Sequence, residues 1–406
     1  MIGGKKRLGL GVALLLLIAF ANRLWFITQL PLSGDELFSL QHFIGNGWKV
    51  AATDYSSPNN HILNSLLSSG FLQLPLSETV AIRLTSLLAS LASILIVFKL
   101  VLDAQSARFA FFSAGVWVAS LGGLYFGSVS RGYSLVALLS LTAFYALRQI
   151  SNNTPNTIRW AIVFVVSCAL GFLAVPTFLL PFLGFVLAIV VQYLMQRDKK
   201  LFTLNGINIL LSLGLTALLY LPVLRHNPIT SLTDNWIIRN YDLGNFTLER
   251  IANHATETLT YFDPLIAALF IPLALIAIWL KKGWKGVFMT QALFMIAISA
   301  AYVGLSGTIP PARTLVFITP FIIMAVSEGL YNGYGQVSQL YKKGMMVLIA
   351  LLPTLVIVNS NKAMYRKAAI MDEAEQLDGL MMTEEVIEID STALSIPSPI
   401  PSTAGQ

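Results

Sequence analysis

Apolar runs of about twenty residues recur along most of this chain, each long enough to span a bilayer as a helix. Hydrophobic residues make up 56% of the 406 positions and charged ones 11%, and the mean hydropathy is +0.72. A soluble protein of this length would suggest two or three domains, but that expectation yields to the apolar repeat. The chain reads as an all-α polytopic membrane protein. Eleven spans are expected, at 8–28, 80–102, 108–127, 131–149, 158–174, 177–195, 203–223, 264–281, 286–306, 312–330 and 344–358. Pro176 and Pro181 break the long apolar stretch 158–195 into two.

The net charge of +6 does not point to nucleic acid. Its basic residues gather in short connections between spans: Lys5, Lys6, Arg7, Lys99, Arg108, Arg148, Arg159, Arg197, Lys199, Lys200, Lys281, Lys282, Lys285, Lys342 and Lys343. With the N-terminus cytoplasmic, the positive-inside rule holds at every crossing, and eleven spans leave the C-terminus outside. Ala19-Phe20-Ala21 imitates a signal-peptide cleavage site, yet apolar character continues through Leu24-Trp25-Phe26-Ile27, so a retained first helix is expected. The single cysteine, Cys168, excludes an intramolecular disulfide and reads as a packing residue.

Two outer loops are long, about 29–79 and 225–262. The first contains segments 36–44 and 62–74, read as short interfacial helices. The second carries Trp236, Tyr241 and Tyr261 and is placed to cover a site. The span domain ends at 358. Residues 359–406, acidic from Asp372 to Asp390 and then rich in Pro and Ser, read as a disordered tail. No internal repeat of the kind that builds many transporters is evident.

Asp35 and Glu36, in Leu32-Ser33-Gly34-Asp35-Glu36-Leu37-Phe38, sit at the exit of the first span. Acids at a bilayer edge lose solvation, so they need a partner or a task. The plain reading is a helix N-cap by Ser33 or Asp35, which requires one acid rather than two. Arg131, in Ser130-Arg131-Gly132-Tyr133, and Arg313, after Pro310-Pro311-Ala312, open the fourth and tenth spans on the outer side. Guanidinium groups at helix starts suit a phosphate, although each also reads as an interfacial anchor. Arg23 and Arg83 read more simply as anchors or snorkelling side chains.

Asp54 and His61 add donors in the first outer loop. A divalent metal held by Asp35, Asp54 and His61 is one arrangement these residues allow, without any HxxxH or CxxC spacing to support it. His61 otherwise orients a substrate hydroxyl or caps the helix from Ile62. No phosphate-cradling glycine motif for a soluble nucleotide is present, so a transferase of this kind would draw on a donor that lives in the membrane.

Three stretches carry a family likeness. They are Gly34-Asp35-Glu36-Leu37-Phe38 after the first span, Ser57-Pro58-Asn59-Asn60-His61-Ile62-Leu63 in the same loop, and Ser130-Arg131-Gly132-Tyr133 with Pro311-Ala312-Arg313 at later helix starts. Over residues 1–358 the chain resembles the GT-C class of membrane glycosyltransferases. More narrowly it resembles glycosyltransferase family 39, which includes protein O-mannosyltransferases and lipid A aminoarabinose transferases. It departs from that pattern in reading Pro-Asn-Asn-His where His-Pro-Pro is usual, and in lacking a large C-terminal soluble domain.

The resemblance implies inverting transfer of a sugar from a polyprenyl-phosphate carrier to an acceptor hydroxyl on the non-cytoplasmic face, with membrane lipids as surroundings and a glycan, lipid or protein as acceptor. It implies Asp35 as base or acceptor-orienting group, Glu36 as its support, and Arg131, Tyr133 and Arg313 on the phosphate. Asn60 and His61 would line the substrate site. No cofactor is required in this scheme. The alternative is a transporter or flippase of a lipid-linked or anionic substrate, which would place its polar groups nearer the bilayer midplane. A non-catalytic scaffold that binds through its outer loops is a third reading.

Overall fold

A computed structural model describes residues 2–228, 263–279, 286–336 and 338–393, with single positions 252, 256 and 258 between them. Trp236, Tyr241 and Tyr261, and the basic residues Lys281, Lys282 and Lys285, lie outside the described residues. The helices, in order, begin with α1 (Ile2–Gln29), α2 (Gly34–Ser39), α3 (Trp48–Thr53), α4 (Ile62–Phe71) and α5 (Glu78–Ala104). They continue with α6 (Ala107–Ala119), α7 (Leu121–Phe126), α8 (Tyr133–Ser151), α9 (Thr157–Ala174) and α10 (Leu179–Gln196). The last are α11 (Lys199–His226), α12 (Pro264–Trp279), α13 (Val287–Ser306), α14 (Ile318–Gln336) and α15 (Gln339–Ala393). The chain is an all-α, multi-pass membrane protein.

Eight of these helices are long and apolar enough to cross a membrane, and each corresponds to an expected span. Two of the other three expected spans differ. The stretch 108–127 is two helices, because Ser120 turns extended (φ −63°, ψ 142°) and its hydroxyl caps α7 at the Gly123 amide. The stretch 264–281 is helical over Pro264–Trp279, and its last two positions lie outside the described residues. The stretch 312–330 opens as a 3-10 turn over Ala312–Leu315 before α14 begins at Ile318. The break at Pro176 falls as expected: Val175 is extended, Pro176–Phe178 form a 3-10 turn, and α10 follows.

One face of α5 organises its neighbours. Arg83, Ser86, Ser90 and Ser93 recur at three- and four-residue steps and so lie along one stripe. Ser86 donates to Arg131 O at 3.1 Å, Ser90 accepts from Arg23 Nε at 2.7 Å, and Ser93 accepts from Trp117 Nε1 at 2.8 Å. Arg23, fully buried, also donates to Val118 O and Gly123 O, at 3.4 and 3.1 Å. The α6–α7 break frees backbone groups inside the bundle, and these polar side chains satisfy them where no water can. Gly123 permits the close approach, since a Cβ there would stand 2.6 Å from Trp117 O.

The first loop is not uniformly interfacial. Leu40–Ile44 continue α2 as a π-helical turn, and Trp48 on α3 is 71% exposed. By contrast α4, expected at the surface, buries Ile62, Asn64, Ser65, Ser68 and Ser69, with Ser68 donating to Ile82 O on α5 at 2.8 Å.

The final helix runs past 358, where a tail was expected to begin. Residues beyond that point pack on the bundle: Met364 is buried, Asn22 donates to Asn361 at 3.4 Å, Trp25 to Tyr365 at 3.1 Å, and Lys367 lies over the Tyr125 ring. Helical backbone extends to Ala393, and residues 394–406 lie outside the described residues. The boundary moves because Met364, Tyr365 and Ala368 continue the apolar contact surface after the hydropathic span has ended. The contacts 22–361 and 25–365 run in the same direction, so α1 and α15 are parallel and approach the same end of the bundle.

Candidate active site

The chain leaves α1 and immediately re-enters a helix because Ser33-Gly34-Asp35-Glu36 forms a capping box. The Ser33 hydroxyl accepts from the Glu36 amide at 3.3 Å, and the Glu36 carboxylate takes the Ser33 amide at 3.0 Å. Successive helical residues point about 100° apart. Asp35 and Glu36 therefore face different surroundings.

Glu36, expected beside Asp35 in the chemistry, is fully buried away from any opening. Arg83 donates to it twice, Nε to Oε1 and Nη2 to Oε2, each at 2.8 Å, and the Ser130 amide adds a third contact at 2.6 Å. The remaining Arg83 hydrogens go to Ile27 O, Leu30 O and Pro31 O at 2.8–2.9 Å. Burial pushes the Glu36 carboxyl up, but Arg83 with the Ser130 and Ser33 amides outweighs it and holds its pKa below the ordinary value. Arg83 is thus neither a snorkelling anchor nor a phosphate ligand. It ties the end of α1 to α2, and through Glu36 to the start of α8.

Asp35 turns the other way and keeps 41% of its side chain exposed. Its Oδ2 stands 3.3 Å from Arg131 Nη2 and 3.7 Å from Arg313 Nη1, so one carboxylate is shared loosely between two guanidinium groups. The Arg131 side chain is only 6% exposed. Its shortest contact is with a neutral group, Asn59 Oδ1 at 2.7 Å, while its buried Nε has no hydrogen-bond partner among the described residues. The structure therefore gathers Asp35, Arg131 and Arg313, which lie far apart in sequence.

His61 is buried at the same place. Its Nδ1 accepts from the Gly132 amide at 2.7 Å, which places any ring hydrogen on Nε2. Burial, then the charges of Arg131 and Arg313, push its pKa well below the ordinary value. The Tyr133 ring stands edge-on to it, 5.2 Å between centroids. Gly132 is required by close approach: a Cβ would lie 2.8 Å from Ala174 O and 3.0 Å from His61 Nδ1.

These groups line a cavity of about 600 Å³. Its polar side carries Asp35, Asn59, His61, Arg131, Tyr133 and Arg313. Its apolar side is built by Val175, Pro176, Leu179 and Leu180 from the α9–α10 break and by Ile309, Pro310 and Pro311 before α14. Tyr55, Tyr302, Phe38 and Thr314 also line it, and the sequence did not single them out.

Two expected residues are placed elsewhere. Asn60, read as substrate-binding, is turned into the loop, where it donates to Ala51 O at 3.1 Å and Asp54 O at 2.6 Å. Its neighbour Asn59 faces the cavity instead. Asp54 accepts from the Ser56 amide at 2.8 Å and is not in the cavity wall. No cluster of three His, Cys, Asp or Glu side chains within reach of one metal occurs among the described residues, so the set Asp35, Asp54 and His61 is not assembled.

No protein-family model matches the chain, and no curated protein matches it in sequence. The likeness lies in the fold. The chain superposes on the crystal structure of ArnT from Cupriavidus metallidurans in the apo state with a TM-score of 0.61 and 16% identity, over 86% of this chain and 63% of that one. The fold is that of ArnT. With the form of ArnT bound to undecaprenyl phosphate the TM-score is 0.56 at 15% identity, over 84% of this chain and 63% of ArnT. The chain thus spans 63% of the length of the ArnT structures that it matches. Its GT-C-like architecture, expected from three short stretches, is the one observed.

Proposed function

We propose that the chain is a glycosyltransferase that moves a sugar from a polyprenyl-phosphate donor to an acceptor hydroxyl, with inversion at the anomeric carbon. The observation that carries this reading is one exposed carboxylate, Asp35, held between Arg131 and Arg313 at the wall of a half-apolar cavity. The bond that breaks joins the anomeric carbon to a phosphate oxygen, so negative charge grows on the leaving lipid phosphate. Two guanidinium groups meet that charge. Asp35 takes the proton of the attacking hydroxyl as the new glycosidic bond forms. Its contacts with the arginines are long, so an incoming phosphate displaces it readily and frees it as a base. The lipid phosphate is already a fair leaving group, so the scheme asks for no cofactor.

The fold supports the donor class, since ArnT is bound to undecaprenyl phosphate in one of the matched structures. The apolar wall from the α9–α10 break suits a prenyl chain. The basic residues Arg7, Lys99, Arg108 and Arg148 lie at helix ends remote from Asp35 along α1, α5, α6 and α8, which supports an active site on the non-cytoplasmic face. A glycan, lipid or protein hydroxyl serves as acceptor.

The test uses purified chain in nanodiscs with radiolabelled polyprenyl-phosphate sugars and a membrane extract as acceptor source. Transfer or slow hydrolysis of one donor, lost in Asp35→Asn, is expected. Saturable lipid binding without turnover, retained in Asp35→Asn, would favour transport or scaffolding instead.

A further inference from the structure

Asn59 bridges the Arg131 guanidinium and the backbone of Asp35. Its Oδ1 accepts from Arg131 Nη1 at 2.7 Å, and its Nδ2 donates to the backbone oxygen of Asp35 at 3.2 Å. The orientation of the amide is unambiguous, because a guanidinium only donates and a carbonyl only accepts. The rest of the residue is fixed too. Its amide hydrogen goes to Ser57 Oγ at 3.2 Å, and its carbonyl accepts from Ser39 Oγ at 3.2 Å.

We infer that Asn59 is a positioning residue that holds Arg131 in register with Asp35 through a neutral acceptor, adding no negative charge that would compete with an anionic lipid phosphate for Arg131. The inference rests on the proposed function. Arg131 is buried, so its charge is screened little and any carboxylate in tight contact would largely cancel it. Asp35 approaches only at 3.3 Å and is the more exposed partner. The tight contact goes to an uncharged amide, which orients the guanidinium plane while leaving its charge opposed only by the looser Asp35 contact and its Nε unbonded among the described residues. A carboxylate at position 59 would bond Arg131 at least as well, yet would compete with the phosphate. It would also set a second oxygen against the Asp35 carbonyl, where Nδ2 now donates.

The two roles predict opposite orders for two substitutions. If Asn59 only supports the loop, Asn59→Asp, which keeps the shape and the Arg131 contact, is the milder change and Asn59→Ala the harsher. If it positions without neutralising, Asn59→Asp weakens lipid-phosphate binding at least as much as Asn59→Ala.

The experiment measures binding of undecaprenyl phosphate to the full chain in nanodiscs for wild type, Asn59→Ala, Asn59→Asp, Arg131→Gln and the double variant Asn59→Ala/Arg131→Gln, with thermal unfolding recorded for each. Expected are a loss of roughly ten-fold in affinity for Asn59→Ala, an equal or larger loss for Asn59→Asp, and no further loss when Asn59→Ala is added to Arg131→Gln. Wild-type affinity in Asn59→Ala, a milder effect in Asn59→Asp, or losses that simply add with those of Arg131→Gln would overturn the inference while leaving the donor class standing. If the wild-type chain itself binds no lipid phosphate and Arg131→Gln changes nothing, the proposed function falls, and this inference with it.

Discussion

Arg83 grips Glu36 with two parallel contacts of 2.8 Å, and neither side chain is exposed to any degree. The pair is closed on all sides, with every guanidinium hydrogen assigned. It makes the loop between α1 and α5 a fixed extension of the bundle, on which Asp35 is carried.

Removing one member of a buried pair leaves the other charged and unpaired, at a cost of about 3–5 kcal/mol. Glu36→Gln should therefore lower the unfolding temperature in detergent markedly, and Arg83→Gln should do the same. Unchanged stability in Glu36→Gln would mean that the pair does not hold the loop.

Asp35→Asn should behave in the opposite way. It keeps the shape, leaves the buried pair alone, and removes the proton acceptor, so turnover should fall by roughly 10²–10⁴-fold with unfolding unaltered. Near-normal transfer would take Asp35 out of the mechanism.

Arg131→Gln should raise the KM for the donor and lower kcat, the latter by about 10²-fold as for loss of a transition-state donor, with the KM for the acceptor little changed. An effect confined to acceptor dependence would place the phosphate elsewhere. Arg313, more exposed and further from Asp35, should show the smaller effect when changed to Gln.

The imidazole of His61 accepts a hydrogen bond at Nδ1 and titrates below its ordinary value, so the folded state binds fewer protons than the unfolded one as the pH drops through about 6.5. Stability contributed by neutral His61 is complete above that pH and is lost progressively as the pH falls toward the lowered folded value. In wild type the unfolding temperature should decline across this window, and in His61→Asn, which cannot titrate, that part of the slope should vanish. An identical pH profile in the two proteins would contradict the assignment.

Gly132→Ala should cost about 1–3 kcal/mol, because the added methyl meets Ala174 O, a backbone atom that cannot move aside alone. The same methyl crowds His61 Nδ1, so activity should fall with stability. A stable, fully active Gly132→Ala would show that the α8 start can shift freely.

The fold was legible wherever hydropathy alone decides a helix, as in α5, α9 and α11. It was not legible at 108–127, where an apolar run hides a backbone turn at Ser120 whose freed carbonyls are satisfied by Arg23, far off in sequence. Asp35, Arg131, His61 and Arg313 could be picked out because charge is scarce in such a chain and each stands beside a helix start. Glu36 looked equivalent to Asp35 because sequence adjacency conceals the rotation between successive helical residues. Asn59 and Asn60 are chemically identical, and only the turn around Ser57 and Pro58, with the Asn60 amide donating to Ser57 O at 3.1 Å, decides which one faces the cavity. Arg83 had one overlooked signal, since an acid buried in a bilayer-edge loop demands a base from a neighbouring span.

The parallel course of α1 and α15 has a practical use. Because Asn361 and Tyr365 track Asn22 and Trp25, the helix reaches Ala369 at the end of the bundle where Asp35 lies. The native sequence offers one thiol, Cys168, and it is sealed inside. A cysteine introduced at the exposed Ala369 would then be the sole target for a membrane-impermeant maleimide added to sealed vesicles. The compartment in which it reacts is the compartment that the cavity faces, and it can be read without any knowledge of the substrate.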